Sequence, residues 1–596
     1  MIKHKLKQPH GRHLQTHLLK MYSKAILPAT AITEVARQSA KDDADANRDV
    51  SEHTQRLAGM VHKANANRGV RHLVTPWLPV EPYFVDVCYK NDADELTPMK
   101  MPLVLPHEFV HEMYNRGDDT FNNQFFFGQD GDVDTNLTRY WKHIAQVQPW
   151  MQSHPGWHDV QQHPHRCVPL RMHGDEICYN KRNAKMLVYN WCSVLSRGLP
   201  RRLCKVFMMG VRKAFLLSMD CLVLALSWSF ACLLTGVMPS HDENGSPLEG
   251  VRAAKANMPI AGGFKFLLTQ IVGDWEWLSD SFWMQHCDYR NDAFCYLCRA
   301  TKSVGPFCAW VYTSNPGWLA TMVTHAEFMQ DRDDNPHCLL PGFHVLSIRL
   351  DLMHIVCLGV YHWLCGSAIW TILLLGRWGD ESTPWKRCRA KQLRIATTEL
   401  RDWAKRNSLR HSHQKFSFSG LCMSTLLSRP YMYGQAANLS VVARWLSEVT
   451  LEYSGRGNPE HDLLANTLWG FTHSIRLLQQ WPLILSRPQC AQLEECRRSA
   501  LVCYGTLSAE SAEAGSNLWV SKPKWHMYDH CLRLAIQERI NPTFWWCFSD
   551  ETFIGLLGRL AKIAANGPGL ELAVVNKWLL QRLLLDNGDD LDPHGD

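Results

Sequence analysis

The amino-acid sequence predicts an α/β fold, in which a core of strands and helices is interrupted by a large, mainly helical insertion. Three apolar runs have the length and composition of buried strands: 167–172, 186–195 and 264–272. Residues 211–236 and 275–284 have the length and apolar content of helices. Strands that alternate with helices are typical of an α/β sheet and argue against an all-helical protein.

The composition is that of a large globular protein. The chain has 596 residues, enough for about three or four domains, with 46% hydrophobic and 20% charged residues. The net charge of +6 is small for this length, so any surface that binds nucleic acid must be local. The 21 cysteines follow an N-terminus without the pattern of a secretory signal, which predicts reduced thiols and an intracellular protein.

Changes in composition along the chain predict an irregular N-terminal region followed by an interrupted core. Residues 1–70 are polar and are predicted to form a partly disordered arm, and 71–165 an accessory region of short strands and loops. The remaining segments are the first part of the core at 166–299, the helical insertion at 300–520, the last part of the core at 521–570, and a C-terminal helix with an acidic tail at 571–596.

Three acidic residues are candidates for catalysis. Asp175 and Asp274 each follow an apolar strand and a glycine, so adjacent strands would bring their carboxylates to one edge of the sheet. Glu551 is predicted in the first turn of a helix. Three carboxylates can hold two Mg²⁺ or Mn²⁺ ions that activate a water or hydroxyl and stabilise the leaving oxygen of a phosphodiester. Taken singly, each acid is also typical of a turn or a helix start.

Two pairs of softer ligands indicate a structural zinc site. Cys295 and Cys298 form a C-x-x-C motif, and His526 and His530 are four residues apart, which places both on one face of a helix. Together they match a tetrahedral Cys₂His₂ site. One alternative is that packed cysteines and a histidine-bearing helix are unrelated features, and another is that the nearby His286, Cys287 or Cys308 supplies a ligand.

Asp351 and His354 form a rival group. Their spacing puts both on one helix face, immediately before an apolar run. Asp351 is therefore the alternative to Asp274 as second acid, and His354 is a possible metal ligand. The pair also matches a charged helix start that precedes a buried helix, an arrangement that the helix dipole favours.

A basic stretch at 386–415 predicts contact with a phosphate backbone, with a solvated helix face as the alternative. The candidate DNA-binding residues are Lys386, Arg387, Arg389, Lys391, Arg394, Lys405, Arg406 and Arg410.

Two apolar runs, 221–238 and 355–376, contain no Asp, Glu, Lys or Arg and could be mistaken for membrane spans. The second meets the length criterion for a membrane span. Glycine, serine and histidine within these runs favour buried helices of a soluble protein. A protein with two membrane spans is the least favoured alternative.

Taken in order, these motifs resemble those of the cut-and-paste DDE transposases with an RNase H-like fold. The resemblance is especially to members with a helical insertion between the second and third acids, a layout that the CACTA (En/Spm) group shares with the Transib and recombination-activating recombinases. In the latter recombinases, a CxxC follows the second acid and a histidine pair precedes the catalytic glutamate. Here the histidine spacing is one residue shorter than in that pattern. Residues 351–354 resemble the D-x-M-H segment of CACTA-type proteins. The resemblance covers about residues 165–565.

The resemblance implies an RNase H-like core in which Asp175, Asp274 and Glu551 bind Mg²⁺ (or Mn²⁺), beside a structural Zn²⁺ site. It implies a transposon-derived DNA transposase that cleaves transposon ends and joins the 3′-hydroxyl to target DNA. The expected partners are double-stranded DNA and further copies of the chain, in the nucleus and without a membrane. The alternative is an inactive, domesticated DNA-binding or scaffold protein.

Overall fold

The structure is a computed structural model that describes the chain except for residues 1–12, 25, 47–48, 51, 61–65, 91–94, 127, 129–130, 181, 197–203, 213–218, 286–290, 380–384, 413–414, 424–427, 565–568 and 586–596. Part of the predicted N-terminal arm and all of the predicted acidic tail, residues 586–596, therefore lie outside the described residues.

The described part of the N-terminal arm is helical. Its helices are α1 (His13–Ser23), α2 (Ala29–Asp45), α3 (Glu52–Ala58) and α4 (Ala66–Val74). Apolar residues such as Leu18, Leu19 and Ile32 are buried in a separate cluster that Leu580 completes. The polar composition concealed this face, because a few apolar residues at helical spacing are enough to dock a helix.

Residues 71–165 contain one antiparallel hairpin and are otherwise largely helical, which corrects the prediction of short strands and loops. The hairpin pairs β1 (Tyr83–Lys90) with β2 (Leu96–Leu103). The helices are α5 (Pro106–Asn115), α6 (Asp118–Phe125), α7 (Val133–Val147) and α8 (Trp157–Gln162).

A four-stranded sheet lies at the centre of the chain and confirms a mixed α/β fold. Its strands are β3 (Cys167–Cys178), β4 (Lys185–Ser193), β5 (Val206–Arg212) and β6 (Lys265–Gly273), in the order β5-β4-β3-β6. The first three are antiparallel neighbours, and β6 runs parallel to β3. The three predicted strands are confirmed. β3 continues three residues beyond Asp175, so this acid lies within the strand and not at its end.

Helices cover the sheet and connect its strands. Between β5 and β6 lie α9 (Met219–Thr235), which packs against β6 and α5, and α10 (Gly250–Ala254). Immediately after β6 comes α11 (Trp275–Ser281). The apolar run at 221–238 is thus mainly the buried helix α9.

The predicted insertion is helical only in its later part. Residues 300–350 contain only short helical turns and α12 (His325–Met329). A π-helical segment (Met353–Val360) then leads into the long helices α13 (Tyr361–Leu374), α14 (Trp385–Arg406), α15 (Ala436–Leu451), α16 (Pro459–Gln480) and α17 (Arg487–Glu513).

In the described part of the chain, one helix is long and apolar enough to cross a membrane, Met353–Leu374. Within it, 89% of the most apolar window is buried inside the protein. The helix packs against α15 and neighbouring segments, and this burial gives its apolar surface a protein environment.

The chain returns to the sheet in its last three helices. These are α18 (Pro523–Glu538), α19 (Phe548–Ile563) and α20 (Leu570–Leu585). α18 packs against the π-helical segment, α19 against β3, and α20 against β5. Residues more than 370 positions apart in sequence therefore meet on one face of the sheet.

Candidate metal centres

Asp175 and Asp274 start from neighbouring positions on two paired strands. Gly174 on β3 pairs with Gly273 on β6, and each aspartate follows its glycine. Both aspartates line one cavity of about 360 Å³. Glycine is needed at the two paired positions, because an added Cβ would lie 2.0 and 2.3 Å from ring atoms of Trp277.

Backbone hydrogen bonds hold both aspartates. Asp274 caps the N-terminus of α11 and accepts the Trp277 N–H at 2.7 Å. Asp175 accepts the N–H of Glu176 at 2.6 Å. In both residues Oδ1 is the acceptor, so a cation approaching Oδ2 would not break these bonds.

Glu551 completes a group of three acids, which we call the acid centre (Asp175, Asp274 and Glu551). It lies in the first turn of α19, as expected, and its side chain is 41% exposed. It shares a hydrogen bond with Asp175, and its Oε1 lies 3.4 Å from Nε2 of His354. The structure thus brings together three acids that are far apart in sequence.

In the acid centre, burial and mutual repulsion disfavour the ionised form of the carboxyl groups of Asp175 and Asp274. Burial, followed by the charges of Glu551 and Asp274, raises the pKa of Asp175 to about 8. Burial is also the main cause that raises the pKa of Asp274. Burial would raise the pKa of Glu551 too, but hydrogen bonding and the charge of His354 hold it below its usual range. A divalent cation would relieve the repulsion between these carboxylates.

Asp351 has a different environment from the three acids. It is buried, and it accepts backbone N–H groups from Met353, His354 and Cys547 at 3.0, 3.1 and 2.9 Å. Its Oδ2 also lies 2.6 Å from Nδ1 of His354. Asp351, His354 and Cys547 are close enough to be considered as a metal site. Four donors on two oxygens leave Asp351 poorly suited to bind a cation.

His354 links Asp351 to the acid centre. Its Nδ1 contacts Asp351 and its Nε2 faces Glu551. Burial would lower the pKa of His354, but hydrogen bonds and charges of the two acids raise it to about 10. The predicted alternative second acid therefore reaches the centre only through this imidazole.

The four predicted zinc ligands also come together. Cys295, Cys298, His526 and His530 each offer one ligand atom, and these atoms lie within 4.8 Å of one another. Sγ of Cys298 is 3.2 Å from Nε2 of each histidine, both of which are carried by α18. Burial lowers the pKa of His526, which favours the neutral imidazole that a metal requires. Two thiols and two imidazoles at this spacing suit tetrahedral zinc.

The basic segment is only partly a surface. Arg389 is buried at 2% exposure and donates to the carbonyl of Leu373 and to Gln392, so its prediction as a DNA-binding residue is wrong. Its guanidinium instead ties α14 to the end of α13. Exposed positions are Lys391, Arg394, Lys405, Arg406 and Arg410. The side chains of Lys386 and Arg387 lie outside the described residues.

Sequence reasoning missed a buried ionic group next to the acid centre. Asp550, directly before Glu551, contacts Arg171 and Lys205 in the interior. The available signal was a single arginine within the otherwise apolar strand run around Leu170 and Met172.

No protein-family model matches the chain. A comparison with curated proteins gives no match either.

Proposed function

We propose that the chain is a metal-dependent DNA-cleaving and strand-transferring enzyme of the DDE transposase type. The observation that carries the proposal is the convergence of Asp175, Asp274 and Glu551 from two paired strands and a distant helix into one centre with excess negative charge. Perturbed carboxylates beside a cavity are characteristic of functional sites.

The order of the strands supports an RNase H-like core. Three antiparallel strands are followed by a helix and by a fourth strand that runs parallel to the first. Ile348 forms a further parallel bridge to Ile271 of β6 before the long helices begin. Along the chain, the long helices of the insertion come between this edge of the sheet and the helices α18 and α19. This order agrees with the layout that the resemblance implies.

Asp274 is the better second acid in this proposal. It lines the same cavity as Asp175, whereas the oxygens of Asp351 are occupied by backbone N–H groups and by His354. In this arrangement Asp351 orients the imidazole of His354, and His354 holds the carboxylate of Glu551 through a hydrogen bond and its positive charge. Bound Mg²⁺ or Mn²⁺ would lower the pKa of the attacking water and stabilise the leaving oxygen.

The reaction has two phosphoryl-transfer steps. Water attacks a phosphorus at the transposon end, the bond from phosphorus to O3′ breaks, and a free 3′-hydroxyl results. That hydroxyl then attacks a phosphorus of target DNA and displaces another O3′. The protein's part is to position the acids and to stabilise developing charge.

The Cys₂His₂ group supports the same proposal. Zinc bound there would join the segment after α11 to α18, so that both ends of the insertion are held beside the core. Exposed Lys391 and Arg394 on α14 are proposed to contact the phosphates of double-stranded DNA. The proposal further includes a homo-oligomer that acts in the nucleus.

A cleavage assay on duplexes that carry the flanking terminal repeats tests the proposal, with and without Mg²⁺. Omission of Mg²⁺ is preferable to a chelator, which would also compete for the cysteines and histidines. We expect Mg²⁺-dependent nicking and strand transfer by the wild type. Glu551→Gln should abolish both while DNA binding persists. Glu276→Gln, an exposed acid that lines the same cavity, is the matched control and should retain activity. Strand transfer at the wild-type rate by Glu551→Gln would contradict the assignment.

A further inference from the structure

Asp550 and Glu551 are consecutive residues in the first turn of α19, yet their environments are opposite. The Asp550 side chain is completely buried, whereas that of Glu551 is 41% exposed. Consecutive residues of a helix point about 100° apart. One turn of α19 therefore directs Asp550 into the protein and Glu551 towards the acid centre.

Two buried cations hold the Asp550 carboxylate. Nη2 of Arg171 lies 2.6 Å from Oδ2, and Nζ of Lys205 lies 2.7 Å from Oδ1. Both cationic side chains are only 3% exposed. Burial alone would raise the pKa of Asp550, but the charges of Arg171 and Lys205 hold it well below its usual range.

The two cations belong to different parts of the sheet. Arg171 is on β3, four residues before Asp175, and side chains at this spacing share one face of a strand. Lys205 directly precedes β5. Arg171 also donates through Nη1 to the carbonyl of Phe544, in the turn that leads to α19. Asp550, the residue directly before Glu551, is thus bonded to two parts of the sheet, strand β3 and the residue that precedes β5.

We propose that Asp550, held by Arg171 and Lys205, is a positioning residue that sets the place of the Glu551 carboxylate relative to Asp175. The inference rests on the proposed function, because it concerns the same acid centre. Strand β3 carries Asp175 itself and also Arg171, which holds the residue next to Glu551. A single strand therefore fixes the positions of both Asp175 and Glu551. If α19 moved along β3, the buried ion pairs of Asp550 would have to break before the carboxylates of Asp175 and Glu551 could separate.

The test compares Asp550→Asn with Glu571→Gln in the full chain. Glu571 is a control of similar kind, because its buried carboxylate is held by Arg212 at 2.6 and 3.0 Å on α20. For each variant we would measure the folded fraction by circular dichroism, the Mn²⁺ concentration at half-saturation by electron paramagnetic resonance, and kcat for cleavage.

Asp550→Asn should lower kcat on the order of 10²-fold, the usual loss for a misplacement of about 1 Å, and weaken Mn²⁺ binding at unchanged DNA affinity. Glu571→Gln should leave kcat and Mn²⁺ half-saturation of the folded protein unchanged. Equal effects of the two variants would overturn the inference. If Asp550→Asn does not fold, Lys205→Met decides: it keeps the Arg171 pair and should lower kcat severalfold, and wild-type kcat would overturn the inference.

The two proposals fail in distinguishable ways. A wild-type protein that neither binds Mn²⁺ nor cleaves DNA would refute the proposed function, and the positioning role with it. A wild-type protein that cleaves DNA, with an Asp550→Asn variant that cleaves equally well, would refute the positioning role alone.

Discussion

Replacing Asp175 with asparagine should make the metal-free protein more stable while it abolishes catalysis. The carboxyl group of Asp175 is buried beside two other acids, which raises its pKa from 3.8 to about 8. Between these values the folded protein keeps a proton that the unfolded chain releases. Wild-type stability therefore falls as pH rises from about 4 to about 8. Asparagine has no proton to retain and avoids this loss.

The magnitude follows from the width of that interval. Each pH unit between the two pKa values corresponds to about 1.4 kcal/mol, so the advantage of Asp175→Asn should approach roughly 4 kcal/mol at pH 7 and nearly vanish at pH 4. The change of this stability difference with pH tests the reasoning better than its absolute value. The loss of one side-chain contact in the variant shifts the difference by the same amount at every pH.

Thermal and urea unfolding of both proteins at pH 5, 6, 7 and 8, without added divalent cations, measures this slope. Asp333→Asn, which removes an exposed carboxylate, is the control for the substitution itself. Addition of Mg²⁺ should then stabilise the wild type, by about 1.4 kcal/mol at ten times the dissociation constant, and leave Asp175→Asn unaffected. A difference between the two proteins that stays flat from pH 5 to 7 would refute the account of a repelled, buried carboxyl.

Three further predictions concern the surroundings of the acid centre. Cys298→Ser should lower bound zinc, measured by metal analysis, from about one equivalent to near none, and unchanged zinc content would rule out the Cys₂His₂ site. Asp351→Asn should reduce cleavage about 10- to 100-fold but keep metal binding, because Asp351 orients His354 and binds no ion; loss of metal binding in calorimetry would make Asp351 a ligand instead. Arg394→Ala should weaken DNA binding and lower the slope of log K against log salt by about one, whereas buried Arg389→Ala should destabilise the fold by about 1–3 kcal/mol; the reverse pattern would contradict the orientation of α14.

The strands and the positions of the acids were predictable because local patterns determine them. An apolar run that ends in Gly-Asp indicates a strand followed by a carboxylate, and β3 and β6 conform to it apart from the extension of β3 beyond Asp175. The pairing of these strands was only an expectation, since it depends on contacts between segments about 100 residues apart.

The choice between Asp274 and Asp351 could not be predicted from sequence. Both are acids beside apolar segments, and spacing alone places Asp351 and His354 on one helix face. What distinguishes Asp351 is the N–H of Cys547, which comes from 196 positions later in the chain. A hydrogen bond of such range leaves no mark in local composition.

The misassigned Arg389 shows a similar limit. Lysine and arginine content indicates a basic helix but does not say which of its residues face inward. α14 buries Arg389, Gln392, Leu393, Ala396 and Leu400, a stripe at helical spacing that includes a cation. The backbone carbonyl that accepts from its guanidinium, that of Leu373, belongs to another helix, so the burial is evident only in three dimensions.

The contact between Cys298 and His526 spans 228 positions and lies at the base of the long insertion. Because the two ends of the insertion meet there, the geometry of the core depends little on how many residues the insertion contains. Closing a flexible loop twice as long costs only about 0.6 kcal/mol more. A change in the length of the outer helices is therefore expected to leave the three carboxylates in their places.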